Sequence, residues 1–342
     1  MTVIRLGDYS VRLRPRPAAA AAGVLAALAA VAVWTATTGT FELSLDRLGP
    51  ALAGSGTAAE DFIVWQVRLP RLATGLAVGA CLGLAGAVFQ TLTRNPLGSP
   101  DFLGLTHGAS TGALLAIITT TGATTGFVAG SAACGAIVTG AVIYLLTRGG
   151  DRSGYRLVLV GIGVSAIAVG VNGFLLTRSD IVDAARAVFW ITGDLSGRDW
   201  NQAGTVAAVL ALGAAVAVFI GRGLEAMLLG EDSAVGLGVN VTAVRTIALI
   251  TAAVLTGGGV AVSGPLAFVA LAAPHIAARL TGATRSFLCA ALVGALIVTA
   301  ADAIAVAGVG ERQLPTGVVT GVVGGLYLMW LLVTHRKKGV MS

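Results

Sequence analysis

Few residues in this chain can do chemistry, and their positions narrow what that chemistry is. Its 342 residues include three histidines and three cysteines. Cys81, Cys134 and Cys289 stand singly in apolar stretches with no metal-ligand spacing between them. They read as small apolar packing residues. His107 and His275 lie in similar stretches, where an ionisable group is a functional hypothesis by default. His275 follows Pro274 directly, so a backbone carbonyl freed at a broken helix is at least as good a partner for it as any ligand. Asp302 is the remaining intramembrane charge, costing about 2.5–3.5 kcal/mol near a helix centre. A proton or sodium relay would use it, but a carboxylate without a partner cation on a neighbouring span makes a weak relay, and structural pairing or protonation is preferred. No cluster of His, Asp, Glu or Cys has ligand spacing, so no metal site is expected. The only lysines are Lys337 and Lys338, so the Walker A sequence Gly-x-x-x-x-Gly-Lys-Ser/Thr is absent. The chain is therefore not expected to be an enzyme, and no cofactor is expected on it.

The elements that hold these residues are long and apolar. Hydrophobic residues make up 56% of the chain and charged ones 11%, where a soluble domain carries roughly 25% charged; the mean hydropathy is +0.89. About ten stretches are long enough to cross a bilayer, at approximately 18–39, 70–91, 102–119, 126–147, 157–177, 202–221, 246–263, 265–280, 286–306 and 316–334. Unpaired backbone is too costly in lipid for irregular chain, and runs without alternating polarity mean helices rather than barrel strands. The expected fold is all-α and polytopic. The third and eighth stretches are short enough to be tilted, broken or partly re-entrant. Small residues four apart, as in Gly75-Leu-Ala-Val-Gly79 and Gly79-Ala-Cys-Leu-Gly83, suit close helix packing.

Basic residues set the orientation, since they are retained on the cytoplasmic side. With the N-terminus inside, 15 of the 22 Lys and Arg fall in inner segments and 7 outside. Residues 1–17 then form a cytoplasmic N-terminal segment, 18–334 a single transmembrane domain, and 335–342 a cytoplasmic tail. The basic balance follows from topology, and nucleic acid is not an expected partner. The first apolar run is too long for a signal peptide and reads as an uncleaved helix.

Four features at span ends carry more information. Arg68 and Arg71 flank Pro70 at the expected start and outer end of the second span. On that side a basic pair needs a reason, either interfacial snorkelling or an acidic docking partner. Arg94-Asn-Pro-Leu-Gly-Ser-Pro-Asp101 carries two prolines that forbid a continuous helix. The segment Arg222 to Arg245 is the longest inner connection. Within it Glu231 and Asp232 open a short helix and Gly236 and Gly238 close it, an arrangement suited to contact with a soluble cytoplasmic protein or to an uninvolved surface helix. Gly264-Pro-Leu-Ala-Phe leads to Pro274-His275.

In this order and spacing the motifs resemble the permease subunits of type II ATP-binding-cassette importers, the FecCD-like group that takes up ferric siderophores, haem and cobalamin. The resemblance covers essentially the whole chain. It rests on Arg68-Leu-Pro-Arg71, Gln90-Thr-Leu-Thr-Arg94-Asn-Pro-Leu97, Leu229-Gly-Glu-Asp through Leu237-Gly-Val-Asn, Gly264-Pro-Leu-Ala-Phe with Ala273-Pro-His-Ile, and Leu314-Pro-Thr-Gly. The Arg94–Asp101 segment looks most like permeases for ferric catecholates such as ferric enterobactin.

The resemblance implies a set of roles. Arg68 and Arg71 would receive glutamates of an extracytoplasmic siderophore-binding protein. Residues at about 228–241 would form the coupling contact with a cytoplasmic ATPase dimer, which holds ATP and Mg; the residues are Leu229, Gly230, Glu231, Asp232, Ser233, Ala234, Gly236, Leu237 and Gly238. A second, related permease would complete a cavity for the ferric siderophore, with Asn172, Gly108 and Thr316 on the translocation pathway. Two departures stand out. Asp232-Ser-Ala matches the Glu-Ala-Ala pattern of importer coupling loops only loosely, and Val306 stands where some relatives carry an arginine that Arg312 would replace. The rival readings are haem or cobalamin as cargo, an ion-coupled secondary transporter built around Asp302, and a passive channel or scaffold.

Overall fold

The computed structural model describes residues 2–339 except 7–8, 14, 40, 42, 148–153, 283–285 and 309–312. Arg312 and the end of the tail therefore lie outside the described residues. The chain begins with a feature the sequence did not suggest: an antiparallel hairpin of β1 (Thr2–Leu6) and β2 (Tyr9–Leu13), in register Thr2 with Leu13 and Leu6 with Tyr9. Among the described residues everything after it is helical or loop. Pro15 opens α1 (Pro15–Thr37), a position where the missing proline N–H costs nothing.

Every one of the ten apolar stretches holds a helix. They are α1, α4 (Leu69–Thr93), α5 (Leu105–Thr119), α6 (Thr125–Thr147), α7 (Gly154–Arg178), α9 (Trp200–Met227), α11 (Val241–Ser263), α12 (Val269–Thr281), α13 (Phe287–Ala307) and α14 (Thr316–Gly339). Seven of the helical segments are long and apolar enough to cross a membrane. The third and eighth stretches are the short ones, as their sequences indicated: α5 has 15 residues and α12 has 13. Four shorter helices, α2 (Leu45–Leu52), α3 (Ala58–Phe62), α8 (Ile181–Thr192) and α10 (Glu231–Gly236), sit in the connections.

The second span does not start at Pro70. It continues back through a π-helical turn, Ile63–Arg68, into α3, giving an unbroken helical run over Ala58–Thr93. Proline leaves one carbonyl of this turn without its helical partner. In a π-helix the carbonyl of residue 65 looks to the N–H of residue 70, and Pro70 has none. Trp200 Nε1 donates to the Trp65 carbonyl instead, at 2.8 Å. A Thr57–Glu60 capping box starts the run.

Helix α4 is the axis of the bundle, with α9, α11, α12 and α13 packed around it. Glycine makes this possible. A Cβ on Gly79 would collide with the carbonyl of Gly294, one on Gly83 with that of Ala290, and one on Gly86 with that of Ala270. These helices therefore touch backbone to backbone. By contrast α1 and α7 are mostly exposed, as only 11% of the apolar window in each is buried. An exposed apolar stripe runs down α14 through Val322, Leu326, Met329, Trp330 and Val333.

The connections sort to two ends. At one, the start of α4 meets the α1–α2 loop, the α13–α14 junction, the α8–α9 loop and the α11–α12 loop. Gly193, Gly264 and Gly317 let three of these backbones cross: Asp194 N donates to Ser263 O at 2.8 Å and Gly317 N to Gly193 O at 2.9 Å. At the other end, Arg94 and α10 come together.

Candidate functional site

At the first end the two arginines singled out in sequence are both engaged. Arg68 donates from Nη1 to the Ala36 carbonyl and from Nη2 to the Phe41 carbonyl, clasping the exit of α1. Arg71 forms a bidentate pair with Asp302, Nε to Oδ2 at 2.9 Å and Nη2 to Oδ1 at 2.8 Å. Asp302 thus has the partner cation on a neighbouring helix that the sequence did not reveal. Side-chain exposure of the pair is 17% and 7%. Thr316, fully buried at the start of α14, donates to Asp302 Oδ1 at 2.7 Å. The same hydroxyl lies 3.5 Å from Asp194 Oδ1, so its single proton serves Asp302.

Asp194 lies in the α8–α9 loop, where its Oδ2 accepts from Ser196 N at 2.9 Å. Arg198 donates from Nη2 to the Asp194 carbonyl at 3.3 Å, while its buried Nε has no hydrogen-bond partner. Burial pulls the Arg198 pKa below that of a free arginine, against the opposing pull of Asp194 and Asp199. Two cavities open at this end. One, of about 290 Å³, is lined by Arg68, Arg71, Asp302 and Gln313 among others. The other, of about 480 Å³, lies under α8 and is lined by Arg186, Trp190, Asp194 and Arg198 among others.

The residues proposed for a pathway are interior to this chain. Gly108 packs on Thr139 and Gly135 of α6. Asn172 bridges α7 to α5, accepting from Thr111 Oγ1 at 2.7 Å and donating to the His107 carbonyl at 3.2 Å. Neither touches Thr316, which belongs to the Arg71 network. His275 makes an edge-on contact with Tyr327, ring centroids 6.2 Å apart. Near Pro274, the Leu271 carbonyl accepts from Gln90 Nε2 at 3.1 Å. Among the described residues no group of three His, Cys, Asp or Glu could hold a metal ion.

At the other end the expected short helix is present. Gly230 precedes α10 with φ 110° and Gly238 follows it with φ 82°, conformations that favour glycine. Ala234 is buried against the bundle, while Leu229, Val235 and Leu237 are 71%, 61% and 66% exposed, an unusual apolar display on a connecting segment. Glu231 turns inward to pair with Arg245 and lies 4.0 Å from Arg94, whose own φ is +53°.

Sequence reading missed α8, Asp194 and Arg198. Thr192-Gly-Asp-Leu-Ser-Gly197 is a legible turn signal, but nothing in it says that it packs beside residues 302 and 316.

This architecture, a bundle of apolar helices with an ion-paired end and an apolar-faced short helix at the opposite end, is that of a membrane permease. The chain belongs to the FecCD transport family, whose model matches residues 24–334. It is 38% identical over 316 residues to the ferric enterobactin transport system permease protein FepG of Escherichia coli, covering 92% of this chain and 96% of that one. Over 293 residues it is 34% identical to the probable siderophore transport system permease protein YfhA of Bacillus subtilis, covering 83% and 85%. It also superimposes on a solved inward-facing conformation of a metal-chelate type ABC transporter with a TM-score of 0.82 and 26% identity, over 92% of this chain and 98% of that one.

Proposed function

We propose that this chain is the permease subunit of an ATP-driven importer that carries a ferric siderophore across the cytoplasmic membrane by alternating access. The observation that carries the reading is α10: a short helix presenting Leu229, Val235 and Leu237 outward in a chain matched almost end to end by siderophore permeases. Such a face suits insertion into a cleft of a soluble partner, and the partner is a cytoplasmic ATPase dimer that binds ATP and Mg. The Arg71 end then faces outward, and both termini lie in the cytoplasm. An extracytoplasmic binding protein delivers the siderophore at that end, where Arg68 and Arg71 line a cavity.

A second, related permease packs on the exposed faces of α7 and α14, and the cargo passes between the two subunits. Gly108, Asn172 and Thr316 hold the helices that border this route. Differential binding of α10 to the two ATPase states biases the permease toward its inward or outward form. Asp302 does not suit an ion relay, because Arg71 already neutralises it.

The test is uptake of ferric enterobactin into proteoliposomes holding the permease pair, the ATPases and the binding protein. Uptake should require ATP and all four components. Uptake by the permeases alone would overturn the reading.

A further inference from the structure

Two arginines at the Arg71 end have N–H donors to spare, and they line one cavity. Arg68 and Arg71 have their hydrogen bonds filled by carbonyls and by Asp302. Arg198 does not: of its five N–H donors one reaches the Asp194 carbonyl, and Nε is buried with none. The Asp194 carboxylate already accepts from Ser196 N. A buried N–H without a partner is costly, and a carboxylate seated beside Arg198 would relieve it.

Arg186, on α8, lines the same cavity. Its side chain is 63% exposed, and among the described residues its only ion-pair contact is 4.0 Å to Asp183 one turn away. Trp190, Phe189 and Val128 supply apolar wall, so a charge placed beside them is screened less than at an open surface. The two cations and the Asp194 carboxylate face about 480 Å³ of space, net positive and enough for an acidic side chain on a loop but not for a folded domain.

We propose that Arg186 and Arg198 form a second anchor for the extracytoplasmic binding protein, receiving a glutamate or aspartate carboxylate in the cavity beneath α8. Arg198 supplies the partly buried half of the receptor, held by its bond to the Asp194 carbonyl, and Arg186 the exposed half that captures the incoming charge. This rests on the docking reading above. The anchor adds contact with the α8–α9 loop, whose backbone is joined to α11 and α14 through Asp194 and Gly193.

The experiment measures binding-protein affinity for the complete transporter in nanodiscs. Arg186→Glu should weaken association roughly tenfold or more and flatten its salt dependence, as loss of an interfacial charge does. Arg198→Gln should weaken it similarly, with Arg198→Lys intermediate, in preparations that retain the ATPases and elute as the native assembly. Should Arg186→Glu and Arg198→Gln both stay within twofold while Arg68→Glu weakens binding, the second anchor is wrong and the docking reading stands. Should the unaltered transporter fail to bind the protein at this end, the docking reading itself falls.

Discussion

Arg71 on α4 and Asp302 on α13, 231 positions apart, close a bidentate ion pair that Thr316 extends to the start of α14. Three helices are tied by one largely buried charge pair. Removing one partner should be far worse than removing both, since a lone buried charge keeps its desolvation cost. Asp302→Asn is expected to destabilise by about 3–5 kcal/mol, and Arg71→Met with Asp302→Leu to recover most of that loss. Thermal unfolding of the purified transporter in detergent measures both. A stable Asp302→Asn protein that hydrolyses ATP normally yet imports nothing would instead point to a relay.

The π-turn gives a second test. Trp200→Phe removes the donor to the Trp65 carbonyl and should cost about 0.5–1.5 kcal/mol, the worth of one hydrogen bond. Pro70→Ala restores a backbone N–H beside that carbonyl. The Trp200→Phe penalty should shrink in the Pro70→Ala background, and equal penalties in both would show that the missing Pro70 N–H does not leave the Trp65 carbonyl to Trp200.

Glycine packing predicts a position-dependent response to one methyl group. Gly79→Ala drives a Cβ into the Gly294 carbonyl and should destabilise by roughly 1–3 kcal/mol or more. Gly23→Ala meets no atom within 4 Å and should stabilise α1 slightly. A comparison of melting temperatures decides.

Coupling should depend on the outward face of α10. Leu237→Asp or Val235→Asp should abolish co-purification with the ATPase without unfolding the permease, because both side chains are exposed. Glu231→Gln breaks only half-exposed pairs and should change stability by less than about 1 kcal/mol.

Apolar stretches located ten of the helices, seven of them long enough to cross a membrane, because lipid leaves the backbone no other choice. The connections were less legible. Helix α8 mixes Asp183 and Arg186 with Val and Phe over 12 residues, too short and too polar to stand out from a loop. Arg71 and Asp302 each drew attention in sequence, yet nothing local could pair residues on different spans. The π-turn was hidden for another reason: Pro70 reads as a helix start, yet the helix runs through it, with the Trp200 indole filling the orphaned carbonyl. The N-terminal hairpin lies in a segment that looked like a plain basic tail.

The backbone-to-backbone seam between α4 and α13 leaves no slack for sliding. A spectroscopic label on α4 would stay nearly silent through a transport cycle, while labels on α7 and α14 would report it. On the proposed alternating-access reading, α4 would be the spindle and the exposed helices the moving vanes, so an inhibitor meant to jam the cycle has more to gain from wedging the vanes than from gripping the shaft.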